Sequence, residues 1–186
     1  MAEPHLHEPF AAGAEVSLAR LDDLQIVSVA ARRGGGAEVR ERLRALLQLE
    51  APDGPRRAWA GDVSVLGVGP DRWLAVSDAS SPVLHDLLVL ELAGVAAVCD
   101  QGDAYAVFAV SGPAAACVLA KGVPLDLHPS AFGADAVAAT LVAHMGVILW
   151  YAVSGYRIAV FRSYGASFQH WLEGAAAEFL PLPPRD

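Results

Sequence analysis

The sequence predicts an α+β fold in which a strand, helix, strands, helix order is laid down twice. Three observations lead there. Apolar runs of strand length alternate with stretches whose apolar residues recur at helical spacing. Turn-forming Gly and Pro residues separate them. The same order of elements occupies Leu24–Leu92 and returns in Ala104–Phe179, although no residue-level repeat is visible. A duplicated strand-helix-strands-helix sandwich follows, as one domain over residues 1–186, with a first pseudo-repeat at 12–98, a second at 99–180, and tails at 1–11 and 181–186.

The first ten residues are polar and broken by proline. Leu24–Ala31 is an apolar run that enters Arg32-Arg33-Gly34-Gly35-Gly36, a strand leaving into a turn. From Ala37 to Glu50 the residues Val39, Leu43, Leu46 and Leu47 share one helical face, with Glu38, Arg40, Glu41, Arg42 and Arg44 elsewhere, so the helix is amphipathic. Pro52-Asp53-Gly54-Pro55 ends it. Asp62–Val68 and Trp73–Ser77 read as strands joined across Gly69-Pro70-Asp71, and Ser81-Pro82 supplies an N-cap and first-turn proline for a helix over Pro82–Leu92. Gly94–Asp100 and Ala104–Val110 read as a strand pair around Gln101-Gly102, and Gly112-Pro113 opens a third helix to about Lys121. Two or three strands lie between Ala136 and Arg162, broken near His144–Gly146 and Ser154-Gly155. A last helix carries Phe168, Trp171, Leu172, Ala175, Ala176 and Phe179 on one stripe, and Pro181, Pro183 and Pro184 close the domain.

Composition excludes several function classes. The chain of 186 residues has a net charge of −8 and no basic run longer than Arg32-Arg33 or Arg56-Arg57, so it lacks the electrostatic footprint of a nucleic-acid binder. Its longest apolar stretches, Ala136–Ala143 and Gly146–Val153, fall short of the roughly 20 residues that span a bilayer. Met1–Phe10 holds Glu3, His5, His7 and Glu8 where a signal peptide needs an apolar core, which reads as a cytoplasmic protein. Cys99 and Cys117 form no Cys-x-x-Cys pair and have no flanking His, so they read as small buried hydrophobes.

Each candidate for chemistry has a plainer reading. Gly34-Gly35-Gly36 before a helix could present amides to an anion, yet it lacks the Lys-Ser/Thr of a P-loop and the spaced glycines of a dinucleotide fingerprint. It reads as a flexible turn. His5 and His7 alone leave most positions of a metal unfilled. Trp150 closes the run Val147-Ile148-Leu149 and Trp171 sits on a helical stripe, so both read as core. The most informative polar stretch is Lys121-Gly122-Val123-Pro124-Leu125-Asp126-Leu127-His128-Pro129. An extended backbone would place Asp126 and His128 on one side and the two leucines on the other. Acid–base chemistry needs a third group, and no Gly-x-Ser-x-Gly or similar nucleophile motif supplies one. No catalytic, cofactor-binding or metal-binding residue is assigned. Lys121, Asp126 and His128 are the candidate subunit-interface residues.

Three stretches together resemble the gamma subunit family of heterotetrameric sarcosine oxidase. They are Cys99-Asp100-Gln101-Gly102-Asp103-Ala104-Tyr105 leading to Val110-Ser111-Gly112-Pro113, then Lys121–Phe132, then Thr140–Trp150 with Arg162–Leu172. The Lys-Gly-x-Pro-Leu-Asp-Leu-His-Pro run is the most distinctive. The first hundred residues match loosely, mainly at Gly69-Pro70-Asp71-Arg72-Trp73-Leu74.

The resemblance implies a fold related to the folate-binding domain of the glycine-cleavage T-protein. It implies a non-catalytic structural subunit of a complex that oxidises sarcosine to glycine with hydrogen peroxide and passes the methyl carbon to tetrahydrofolate. It places FAD, FMN, NAD and tetrahydrofolate in large partner subunits, with none bound by this chain. The chain agrees in lacking a dinucleotide fingerprint and a recognisable flavin-attachment segment. A free-standing folate-binding or aminomethyltransferase-like protein is the alternative, and a general scaffold or regulatory interaction domain is a third class; fold alone does not separate these.

Overall fold

The computed structural model describes residues 8–78, 83–152 and 155–181. The described chain divides into two compact units, one formed by Asp23–Ala104 with Asp135–Ala138, the other by the remaining described residues.

The first unit is built on the five-stranded antiparallel sheet β4-β5-β6-β3-β7. Its strands are β3 (Gln25–Ala31), β4 (Arg57–Ala60), β5 (Val63–Gly69), β6 (Arg72–Ser77) and β7 (Ala96–Asp100). Two helices, α1 (Gly36–Leu47) and α2 (Val83–Glu91), pack on one face of it. Val39 and Leu43 of α1, and Leu84 and Leu88 of α2, meet Val27, Val29, Val65, Trp73 and Ala75 in one core. The period of 3.6 on the helices and of 2 on the strands brings these residues to one surface. The Trp73 indole N–H donates to the Pro52 carbonyl (2.8 Å), so the buried ring has its polar atom satisfied.

The second unit carries the six-stranded sheet β1-β2-β8-β11-β10-β9. Its strands are β1 (Pro9–Ala12), β2 (Ser17–Leu21), β8 (Tyr105–Ser111), β9 (Val137–Val142), β10 (Met145–Ala152) and β11 (Gly155–Phe161), with helices α3 (Ala115–Ala120) and α4 (Gly165–Ala176). Its core is more aromatic. Phe108 and Phe168 are fully buried with ring centroids 5.1 Å apart, and Leu119, Leu149, Ile158 and Leu172 are also fully buried. Gly112, at a φ of +100, opens the turn before α3; a Cβ there would stand 2.5 Å from the Glu15 carbonyl oxygen, so both conformation and space require glycine.

The strand orders expose the duplication. A first repeat runs β2-β3-α1-β4-β5-β6-α2 and a second runs β7-β8-α3-β9-β10-β11-α4. Their leading strands are exchanged: β2 pairs with β8 in the second sheet, and β7 pairs with β3 in the first. The mixed strand and helix fold expected from sequence is present. The strand pair expected across Gln101-Gly102 is not, because β7 bonds to β3 while β8 bonds to β2 and β11. Short strands β1, β2 and β4 also escaped the sequence reading, and β1 takes in Pro9–Ala11 of the segment read as a tail. The cap expected at Ser81-Pro82 and the tail histidines His5 and His7 lie outside the described residues.

Candidate functional site

The segment Lys121–Phe132 joins α3 to the last three strands, and the structure separates its residues by role. Val123, Leu127 and Phe132 are buried while Pro124, Asp126 and His128 are exposed. The buried residues anchor the loop. Tyr156 of β11 donates its hydroxyl to the Leu127 carbonyl (3.1 Å), and the Phe132 and Tyr156 rings lie 6.2 Å apart. Burial, and secondarily the neighbouring Tyr151, raise the Tyr156 phenol above its usual pKa.

Asp126 and the His128 imidazole take separate hydrogen-bond partners. The Asp126 carboxylate accepts from the His128 backbone N–H (2.9 Å), an Asx turn that fixes main chain and leaves the imidazole out. His128 Nδ1 instead lies 2.7 Å from Ser130 Oγ and accepts from the Ser130 N–H at 3.3 Å. The amides of Ala131 and Phe132 donate to the His128 carbonyl, which finishes a single helical turn. Local hydrogen bonds therefore account for both residues.

Lys121 points elsewhere. Its ammonium donates to the Ala175 carbonyl at the end of α4, pairs with Glu178 at 2.6 Å and lies 5.3 Å from the Phe179 ring centre. A cation at a helix C-terminus satisfies the helix dipole. Gly122 admits Trp171, since a Cβ on the glycine would be 2.5 Å from the indole ring. Trp171 is thus half-buried at the margin of its stripe, beside the enclosed Phe168.

Other candidates resolve as follows. Gly34 takes a φ of +78, and the Asp71 carboxylate occupies the position a Cβ on Gly36 would fill. A negative group already stands at the start of α1, which opposes a phosphate there. Cys99 and Cys117 are exposed, correcting the reading as buried hydrophobes. Cys99 lies on the outer strand β7, and Cys117 faces away from the buried side of α3 formed by Ala115, Val118 and Leu119. Among the described residues no cluster of three His, Cys, Asp or Glu could hold a metal ion, and no helix is long and apolar enough to cross a membrane.

Sequence reasoning missed two exposed apolar surfaces. On the second sheet Tyr105 stacks on Phe161 at 5.2 Å, beside Leu141 and Ile148, lining a shallow cleft where Gly146 contributes no side chain. On α2, Leu87, Val89 and Leu90 are exposed opposite the buried Leu84 and Leu88. The signal was present in α2, whose leucines and valine surround the helix rather than mark one stripe.

The family model described as sarcosine oxidase, gamma subunit family, matches residues 36–178. A sarcosine oxidase subunit gamma from Corynebacterium sp. (strain P-1) is 31% identical, over 96% of this chain and 90% of the relative. The solved heterotetrameric sarcosine oxidase from Corynebacterium sp. U-96, in complex with pyrrole 2-carboxylate, contains a chain that superposes with a TM-score of 0.81. That match is 30% identical and covers 95% of this chain and 91% of the other. The glycine cleavage system aminomethyltransferase T from Bartonella henselae superposes at a TM-score of 0.65 with 15% identity, over 87% of this chain and 46% of that one, a likeness of fold. With the match running from the first residue of α1 to beyond α4 and taking in the Lys121–Phe132 loop, this chain belongs to the sarcosine oxidase gamma subunit family.

Proposed function

We propose that the chain is the gamma subunit of a heterotetrameric sarcosine oxidase and acts as a non-catalytic assembly subunit. Its partners are large flavin-binding subunits, which carry FAD, FMN, NAD and the tetrahydrofolate site. The complex demethylates sarcosine to glycine, with hydrogen peroxide and methylene-tetrahydrofolate as the other products, in the cytoplasm. The single observation that carries the subunit reading is the likeness to a chain of the solved heterotetramer over nearly the full length of both.

The chain's own chemistry supports the non-catalytic part. The Gly-rich turn into α1 does not fit a dinucleotide, because the Asp71 carboxylate lodges against Gly36 where a pyrophosphate would need to approach. Asp126 and His128 spend their hydrogen bonds on the loop itself. Lys121, Asp126 and His128 then serve as interface residues, presented on a loop whose buried Leu127 and Phe132 hold it in place.

Affinity purification of the tagged chain from its native cell tests this. Recovery of a large flavoprotein in equal stoichiometry is expected, and free monomer alone would overturn it. Replacing Asp126→Asn and His128→Gln together keeps size and removes charge and titration. Turnover normalised to bound flavin should stay unchanged, with any loss in assembly. A hundredfold fall in a fully assembled complex would assign about 2.7 kcal/mol of transition-state stabilisation to this loop and end the non-catalytic reading.

A further inference from the structure

We draw no further inference here: the strongest candidate, the shallow apolar cleft of the second sheet where Tyr105 stacks on Phe161 beside Leu141 and Ile148, carries nothing because nothing in the structure shows what covers it.

Discussion

The two units use one plan and fill it differently. In the first, α1 is a 12-residue helix whose left-handed cap Gln48 leads through a short proline-rich link into β4. In the second, α3 has only six residues and is followed by the long Lys121–Phe132 loop before β9. The first core is aliphatic around one tryptophan; the second packs Phe108 against Phe168, and Tyr156 against Phe132 of that loop. The topology therefore tolerates exchange of its fill, and the Lys121–Phe132 loop lies where the second unit departs from the first. A duplicated fold can keep one copy as plain architecture while the other acquires a loop that its aromatic core must hold.

The largest test of that contrast is Phe168→Ala. Phe168 is fully buried between Phe108 and Trp171, so its removal should cost about 3–5 kcal/mol in chemical denaturation. A loss below about 1 kcal/mol would show that the second core is not the rigid support of the loop. Trp73→Phe probes the first unit. It leaves the Pro52 carbonyl without its indole donor and shrinks a ring that is 2% exposed, for an expected loss of about 1–3 kcal/mol. It should leave complex recovery unchanged, and a fall in recovery would give the first core a share in holding the interface.

Tyr156→Phe is a smaller change with a pH signature. The phenol is held neutral by burial, and its pKa in the folded chain lies above the unfolded value of about 10. The neutral form bonds Leu127, so the stabilisation is full below that pH and is lost as pH rises through the folded pKa. Ultraviolet titration should find Tyr156 and Tyr105 ionising late in the wild type and Tyr105 alone in the variant, whose stability at neutral pH falls by about 1 kcal/mol. A late ionisation of unaltered amplitude in the variant would show that Tyr156 does not contribute to it.

Much of this was legible in the chain. Helices α1 and α4 announce themselves because one face is buried and the other wet, which writes the period of 3.6 into Val39 and Leu43 and into Phe168 and Leu172. Strands such as β6, buried from Trp73 to Ser77, read as continuous apolar runs. β1, β2 and β4 were missed because each has only four or five residues, and PFAA, SLARL and RAWA give little alternation to count. Pairing was misread at Gln101-Gly102 because a turn between two runs suggests a hairpin, while the exchange of β2 and β7 between sheets is a long-range fact with no local signature. Trp171 was placed on the right stripe, but only contact with Gly122 shows it at the rim. For the loop, the spacing of Asp126 and His128 was visible, and the carboxylate's choice of main chain over imidazole was not.

The smallest expected effect isolates the loop from its support. Lys121 ends α3 where Gln48 ends α1, and the two termini differ in kind: Gln48 bends the backbone left-handed, whereas Lys121 keeps a helical backbone and sends its side chain to α4. The ammonium meets the Ala175 carbonyl and Glu178, but the side chain is 40% exposed and the carboxylate 61%. Solvent screens such a pair, so its net worth is below about 1 kcal/mol. Lys121→Met keeps most of the aliphatic stem beside Phe179 and removes only the charge. Denaturation midpoints should barely move, and recovery of the flavoprotein subunit should be the quantity that responds. A fall in recovery at constant stability makes the Lys121 end of the loop part of the contact surface; a fall in stability with recovery intact makes Lys121 a brace between α3 and α4 and shifts the contact toward Asp126 and His128.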